Sequence, residues 1–196
     1  MAISKPKNLP EDPVVRIVFS ALSVALVFLG TYSFITPIPA TAGYFNFGDI
    51  MIFITALTFG PLAGGIGGGV GSSLSDLLGG YPTFAPFTLV IKGLEGVAAG
   101  FISRRKFRGN LLAAWLVAGS IMVGGYFVTE AVLIALLYGA SETTGVVAAL
   151  AEVPFNLLQV FAGGLVGLPV SMMLKRRIPA LLPGRNPKPT EAPGQS

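Results

Sequence analysis

A chain of 196 residues has about the length of one domain, yet 53% of it is hydrophobic and only 11% is charged, with a mean hydropathy of +0.75. A soluble domain carries about a quarter charged residues, so the apolar surplus exceeds what one water-facing globule can bury, and lipid is the fitting solvent. Cysteine and histidine are both absent, which excludes disulfides, thiolate chemistry, imidazole bases and the usual zinc or haem ligands.

The polar start, Met1 to Asp12, precedes an apolar run over residues 14–35 that is too long for the core of a cleavable signal peptide. A membrane span needs roughly 20 apolar residues, and this run reads as the first. A proline-rich loop follows (Thr36-Pro37-Ile38-Pro39). The second apolar run, 47–59, is short and stops at Gly60-Pro61, and the third, 62–78, is dense in glycine and stops at Gly79-Gly80-Tyr81-Pro82. The fourth covers 86–102, the fifth 111–138 and the sixth 144–174. The segment 178–196, rich in Pro, Gly and basic residues, reads as a disordered cytoplasmic tail. The expected architecture is an all-α integral membrane protein. It has a short N-terminal segment (1–13), a six-helix bundle (14–177) and that tail.

Every Lys and Arg except Lys92 falls in one of three places: around the start of the first span, between spans four and five, and after span six. With six spans these places share one side, and the loops on the other side carry no basic residue. The positive-inside rule then predicts both ends in the cytoplasm of a cell-membrane protein. The formal net charge of +4 is thereby explained by topology, which removes the reason to expect a nucleic-acid partner.

Glycines of the third span form small-xxx-small ladders, Gly60/Gly64/Gly68 and Gly65/Gly69. Such ladders let helix backbones approach closely in lipid, and packing within the bundle is the expected use. In the first span Ala21 and Ala25, at i and i+4, leave one flat face in the cytoplasmic half, where a partner subunit can dock.

Ionisable groups inside spans are costly and default to function. Here they are Asp49, Asp76, Lys92, Glu95, Glu130 and Glu152. At 1.5 Å per residue, all six fall in the outer half of their spans, although they come from five different ones. Glu152, Asn156 and Gln159 form one polar stripe at i, i+4 and i+7, which must face inward. Lys92 and Glu95, at i and i+3, can pair with each other. The cluster predicts a polar pocket open to the outside, roofed by the loop that ends Tyr44-Phe45-Asn46-Phe47 and by the aromatic residues Tyr81, Phe84 and Phe87. Five carboxyls against one lysine point to a ligand with amino or cationic groups.

These residues, read together, resemble the S components of energy-coupling-factor (ECF) transporters. The resemblance rests on the six-span layout, the Ala21-xxx-Ala25 pattern, Asn46-Phe47-Gly48-Asp49-Ile50 and Gly60-Pro61-Leu62-Ala63-Gly64. It also rests on Ser75-Asp76-Leu77-Leu78-Gly79-Gly80-Tyr81 and Ile91-Lys92-Gly93-Leu94-Glu95-Gly96. It covers about residues 14–177. It implies a high-affinity substrate-binding subunit with no catalytic site and no cofactor of its own, which captures a water-soluble vitamin or precursor from outside. It also implies docking, through Ala21 and Ala25, onto a coupling membrane subunit driven by two ATPases. The substrate-binding residues expected are Tyr44, Asn46, Asp49, Lys92, Glu95, Glu130, Glu152, Asn156 and Gln159.

The substrate group implied is hydroxymethylpyrimidine-, pyridoxine- or riboflavin-like. Thiamine-binding members carry several pocket tryptophans, whereas this chain has only Trp115. The competing reading is a solitary proton-coupled carrier of a small amine-bearing solute, using Glu130 and Glu152 as relays. An intramembrane enzyme would have to rest on a carboxylate pair such as Asp49 and Asp76, and a purely structural subunit leaves the polar stripe without a purpose.

Overall fold

A computed structural model describes residues 13–38, 43–137, 139 and 141–177. The expected N-terminal segment and disordered tail therefore lie outside the described residues, apart from Pro13. The elements in order are α1 (Pro13–Tyr32), strands β1 (Thr36–Pro37) and β2 (Tyr44–Phe45), α2 (Gly48–Phe59), α3 (Pro61–Ile66), a π-helical turn (Gly67–Gly71), α4 (Ser72–Gly79), α5 (Ala85–Ile102), α6 (Asn110–Leu137) and α7 (Glu142–Arg177). The third predicted span is thus one rod in three parts, α3, the π turn and α4. Helix α1 ends three residues earlier than its apolar run. Pro37 disfavours helix at the residue before it, and the chain turns at Ser33 and Phe34 into a short antiparallel hairpin. The hairpin pairs Thr36 with Phe45 and Pro37 with Tyr44, and Ile38 N–H donates to Gly43 O at 3.1 Å.

Breaks between rods follow local chemistry. Gly60, with φ +105°, releases the chain from α2, and Pro61 then opens α3, where a missing N–H costs nothing. The freed end of α2 is covered by Arg104, whose Nη2 donates to Phe59 O at 2.9 Å. Gly80, left-handed at φ +93°, ends α4, and Tyr81 N–H closes back onto Asp76 O at 2.8 Å. Pro154 and Pro169 lie inside α7, and each removes one rung of its hydrogen-bond ladder.

The glycine ladders serve packing between rods. A side chain at Gly64 would strike Ala56 of α2 and Gly96 O of α5, and one at Gly68 would strike Lys92 O. On the opposite edge Gly67 and Gly71 lie against Ser23 and Val24 of α1. The rod is therefore wedged between α1 and α5 at backbone-to-backbone range, a closeness that van der Waals packing in lipid rewards. The π turn falls within this wedge. One wide turn acts as one extra residue, which rotates α4 by about 100° relative to an uninterrupted helix. Helix α2 packs against α7, α1 and α5, and α6 against α5 and α7. The apolar core is built of small residues around Phe53 and Leu57: Ala56, Ala99, Ala114 and Ala118.

Polarity is inverted relative to a water-soluble protein. Asp49, Glu95 and Glu130 are each 0% exposed, whereas Leu136 is 75% and Ile17 66% exposed. An outer surface of Leu, Val, Ile and Phe around a charged interior is stable in hydrocarbon and not in water. Among the described residues four helices, α1, α5, α6 and α7, are long and apolar enough to cross a membrane, and α2 is a shorter apolar helix. The chain is an all-α membrane protein with one two-stranded hairpin, placed where the proline-rich stretch predicts only loop.

Candidate functional site

Five helices and the hairpin converge on one partly open pocket, whose empty volume of about 400 Å³ includes its mouth. Each wall comes from one or two turns of a helix. On α4, Ser72 and Asp76 stand at i and i+4, and on α5, Thr88 and Lys92 do the same. Tyr126 and Glu130 repeat the spacing on α6, and Glu152, Asn156 and Gln159 project from α7 as the predicted stripe. Thr31 from α1 completes the ring, with Phe84 and Met122 as apolar patches.

The hairpin forms the roof. Gly43 lies so close to the Glu152 carboxylate that any side chain there would collide with it. Tyr44 donates its phenolic hydrogen to Asp76 Oδ1, and its ring packs on Tyr81 with centroids 4.5 Å apart. Burial, followed by the Asp76 charge, pushes the Tyr44 phenol well above its ordinary pKa, so it remains a donor. Tyr81 is raised as well, by burial first and then by Asp76 and Glu152. Asn46 Oδ1 accepts the Gly48 N–H at 2.8 Å, a local turn that starts α2 and fixes the hairpin's return strand.

Lys92 holds the floor. Its Nζ pairs with Asp49 Oδ1 of α2 and with Glu95 Oε2 at 3.3 Å, and it lies 5.6 Å from the centre of the Tyr126 ring. Asp49, reaching from another helix, is the nearer partner, which the i, i+3 spacing of Lys92 and Glu95 did not disclose. Asp49 and Glu95 are not among the lining residues and stand one layer behind Lys92. Tyr126 Oη donates to Thr88 Oγ1 at 3.0 Å, and Gln159 Nε2 donates to Asn156 Oδ1 at 3.2 Å.

The structure thus brings Tyr44, Asn46, Lys92, Glu130, Glu152, Asn156 and Gln159 around one cavity. Asp76, noted in the sequence as an intramembrane carboxylate but not placed among the binding residues, belongs to the same wall, as do Thr31, Ser72 and Thr88. The i, i+4 spacing that exposed the α7 stripe also joins Ser72 to Asp76 and Thr88 to Lys92, and would have found them. Trp115 lies elsewhere: its indole donates to Val160 O at 2.7 Å between α6 and α7. Ala21 and Ala25 are both exposed on α1, on a face that no described element covers.

With this geometry in place, likeness to known proteins becomes informative. Residues 13–176 match the family model described as ECF-type riboflavin transporter, S component. A protein of Pyrococcus woesei, described as an uncharacterized protein in a gap 3′ region, is 44% identical over 147 residues, 74% of this chain and 92% of that one. The thiamine precursor transporter HmpT of Lactococcus lactis subsp. cremoris (strain MG1363) is 30% identical over 171 residues, 87% of this chain and 93% of HmpT. Among solved structures, one reported under the description "Structure and mechanism of the S component of a bacterial ECF transporter" superposes with a TM-score of 0.67 at 21% identity. That match covers 84% of this chain and 98% of that one, and it speaks to the fold. The matched residues run from the first turn of α1 to the last turn of α7 and include every wall of the cavity: the chain belongs to the family of ECF-type riboflavin transporter S components.

Proposed function

We propose that this chain is the substrate-binding membrane subunit of an ATP-driven importer, and that the cavity beneath the hairpin holds a water-soluble vitamin or vitamin precursor. The observation that carries the reading is the buried polar cavity itself. Side chains of five helices turn their polar groups onto one small volume inside an otherwise apolar bundle, at a cost that structure alone does not require. The substrate group proposed is a nitrogen heterocycle of the hydroxymethylpyrimidine, pyridoxine or riboflavin kind. The likeness to a thiamine precursor transporter supports its smaller members, and the family description supports its flavin member. Tyr44, Asn46, Lys92, Glu130, Glu152, Asn156 and Gln159 are proposed to touch the ligand, with Asp49 and Glu95 acting through Lys92.

The proposed topology has six membrane-crossing rods with both ends in the cytoplasm. Arg104 at the end of α5 reaches the end of α2, and Phe19 near the start of α1 stacks on Phe59 at 4.5 Å. Basic residues of α1 and α5 thus gather at one end of the bundle, opposite the hairpin, which supports a cytoplasmic assignment for that end. The exposed Ala21 and Ala25 lie in the same half of α1. They are proposed to meet a coupling membrane subunit that works with two ATPases.

The test has two arms. Equilibrium binding of hydroxymethylpyrimidine, pyridoxine and riboflavin to the purified full chain should give one tight ligand, and the absence of any would overturn the vitamin-binding reading. Gentle extraction from the native membrane should recover a coupling subunit and two ATPases. Ala25→Trp should lose them while retaining the ligand. Recovery of the chain alone, with crosslinking tried, would favour the solitary carrier.

A further inference from the structure

A second opening lies between α6 and α7, with about 940 Å³ of empty space counted out to its open side, a size that takes an organic chain. Its sides are Trp115 and Val123 of α6 and Leu157 and Phe161 of α7. The gap exists because α6 presents Gly119, Ser120 and Gly124 there, and nothing lies within 4 Å of where a Gly124 side chain would begin. The polar side-chain atoms of the lining are already used within the protein. The Trp115 indole donates to Val160 O at 2.7 Å, and the Ser120 hydroxyl donates to Leu116 O at 2.8 Å. Leu116, Leu157 and Phe161 are each more than half exposed, so the groove opens onto the lipid-facing surface. Left unfilled, its walls would lose their dispersion contacts, and what they can accept is hydrocarbon.

The length of the groove fits one acyl chain. From Trp115 to Gly124 it runs about 14 Å along α6, close to the roughly 15 Å of hydrocarbon in one leaflet of a bilayer core about 30 Å thick. Trp115 stands about 7–8 Å from the start of α6, so the groove occupies the leaflet at the end where α6 begins and α7 finishes. That end is basic. Lys106 and Arg108 precede α6, Arg176 and Arg177 close α7, and all four are exposed. Arg104 is turned instead to Phe59 O, and Arg105 to the Phe101 ring. No acidic residue occurs over 96–129 or 153–177, so the basic halves of α6 and α7 carry no carboxylate.

We propose that the groove holds one acyl chain of an anionic phospholipid, whose phosphate is received by Lys106, Arg108, Arg176 and Arg177. A zwitterionic lipid supplies the same chain without the net charge, and each basic residue near a headgroup favours the anionic one. A second copy is the poorer occupant. Two chains with the same orientation in the bilayer, related by a two-fold axis along its normal, would bring their basic ends together. The coupling subunit is proposed to meet α1, which packs on α2 and the α3–α4 rod, whereas α6 packs on α5 and α7. Groove and docking face therefore lie on different flanks, and the flank with the lipid is the one that stays in the bilayer. The inference stands apart from the vitamin-binding reading and does not draw on it.

Trp115 is the only tryptophan of the chain and lies in the groove wall, so its fluorescence reports what fills the groove. The purified full chain is placed in phosphatidylcholine vesicles. A rising fraction of the lipid is then replaced by phosphatidylglycerol or by phosphatidylcholine, each brominated on its acyl chains, and quenching of the indole is followed. Brominated phosphatidylglycerol is expected to reach half-quenching at a mole fraction about tenfold lower, and the difference should shrink as ionic strength rises. Lys106→Gln with Arg108→Gln, and Arg176→Gln with Arg177→Gln, should each narrow it, and Gly124→Leu, which fills the gap, should weaken quenching by the anionic lipid. Equal quenching by the two lipids would mean ordinary solvation by bulk lipid and overturns the inference. A preference that survives all four glutamine substitutions overturns the assignment of the cations. Protection from both lipids, together with a crosslinked dimer, would put a second copy in the groove and overturns the inference as well. The comparison on the wild-type chain stands independently of how the variants fold, and vitamin binding is untouched by any of these results.

Discussion

Tyr44 of the hairpin and Asp76 of α4 are joined through a single phenolic hydrogen bond, although 32 residues separate them. That bond ties a two-stranded flap to a membrane helix, and the flap's other anchor is the Gly43 backbone against Glu152. Removing the hydroxyl takes from Asp76 one of its two side-chain hydrogen-bond partners, Thr88 being the other. Tyr44→Phe is expected to weaken ligand binding about tenfold, mainly through faster release, and stopped-flow dissociation would show it.

The same bond carries a pH dependence with a definite sign. Burial raises the Tyr44 phenol above its ordinary value. A raised phenol contributes stability that is fully present below its unfolded pKa of about 10 and is lost as pH rises through the folded value. The contribution of Tyr44 to roof closure should therefore be flat from about pH 5 to 9 and fall only beyond about pH 10. Dissociation rates measured across that range should lose the alkaline rise in Tyr44→Phe.

A methyl group at Gly43 would overlap the Glu152 carboxyl, which must move to admit it. Gly43→Ala is expected to push the Glu152 carboxyl out of place and weaken binding by about tenfold or more, with a smaller effect on stability. Titration calorimetry and thermal unfolding of the same preparation separate the two effects.

Lys92 balances two carboxylates that water cannot reach. Lys92→Met strands Asp49 and Glu95, and breaking a buried ion pair in this way typically costs about 3–5 kcal/mol. A steep fall in the thermal transition is expected. Restoring charge balance with Asp49→Asn and Glu95→Gln in the Lys92→Met background should recover much of it, and failure to recover would point to packing by the lysine stem.

Two glycines on different rods should answer oppositely to alanine. At Gly68 a methyl group would strike Lys92 O of α5, whereas at Gly124 nothing lies within 4 Å. Gly68→Ala is expected to cost about 1–3 kcal/mol through forced separation of the rods, and Gly124→Ala to be neutral or to stabilise by up to about 1 kcal/mol. Paired melting curves in one detergent would check both.

The rods were legible because lipid imposes a simple rule, that apolar length maps onto helix, and Gly60-Pro61 and Gly79-Gly80 punctuate it. The polar stripe on α7 was legible for the same reason: Glu152, Asn156 and Gln159 have no tolerable place except inside. Other features depend on tertiary contact and leave no local periodicity. Lys92 chooses Asp49 over Glu95 because α2 lies against α5, which spacing along one helix cannot report. The hairpin is only two residues deep on each side, too short to show alternation, and its purpose emerges only where Gly43 and Tyr44 meet α7 and α4. The π turn was hidden by its own composition, since a run of glycines reads equally well as close packing.

That turn has a consequence for how the protein tolerates change in length. Ser72 and Asp76 face the cavity across a segment that holds one residue more than a regular helix needs. Loss of a single glycine codon between positions 67 and 71 would let the rod run on as ordinary α-helix and swing both side chains a quarter-turn or more off the binding wall. No cavity residue would have been altered, and the rod would still span the same stretch of membrane. A one-codon deletion in this packing segment is therefore expected to reshape the cavity wall without altering any residue that lines it.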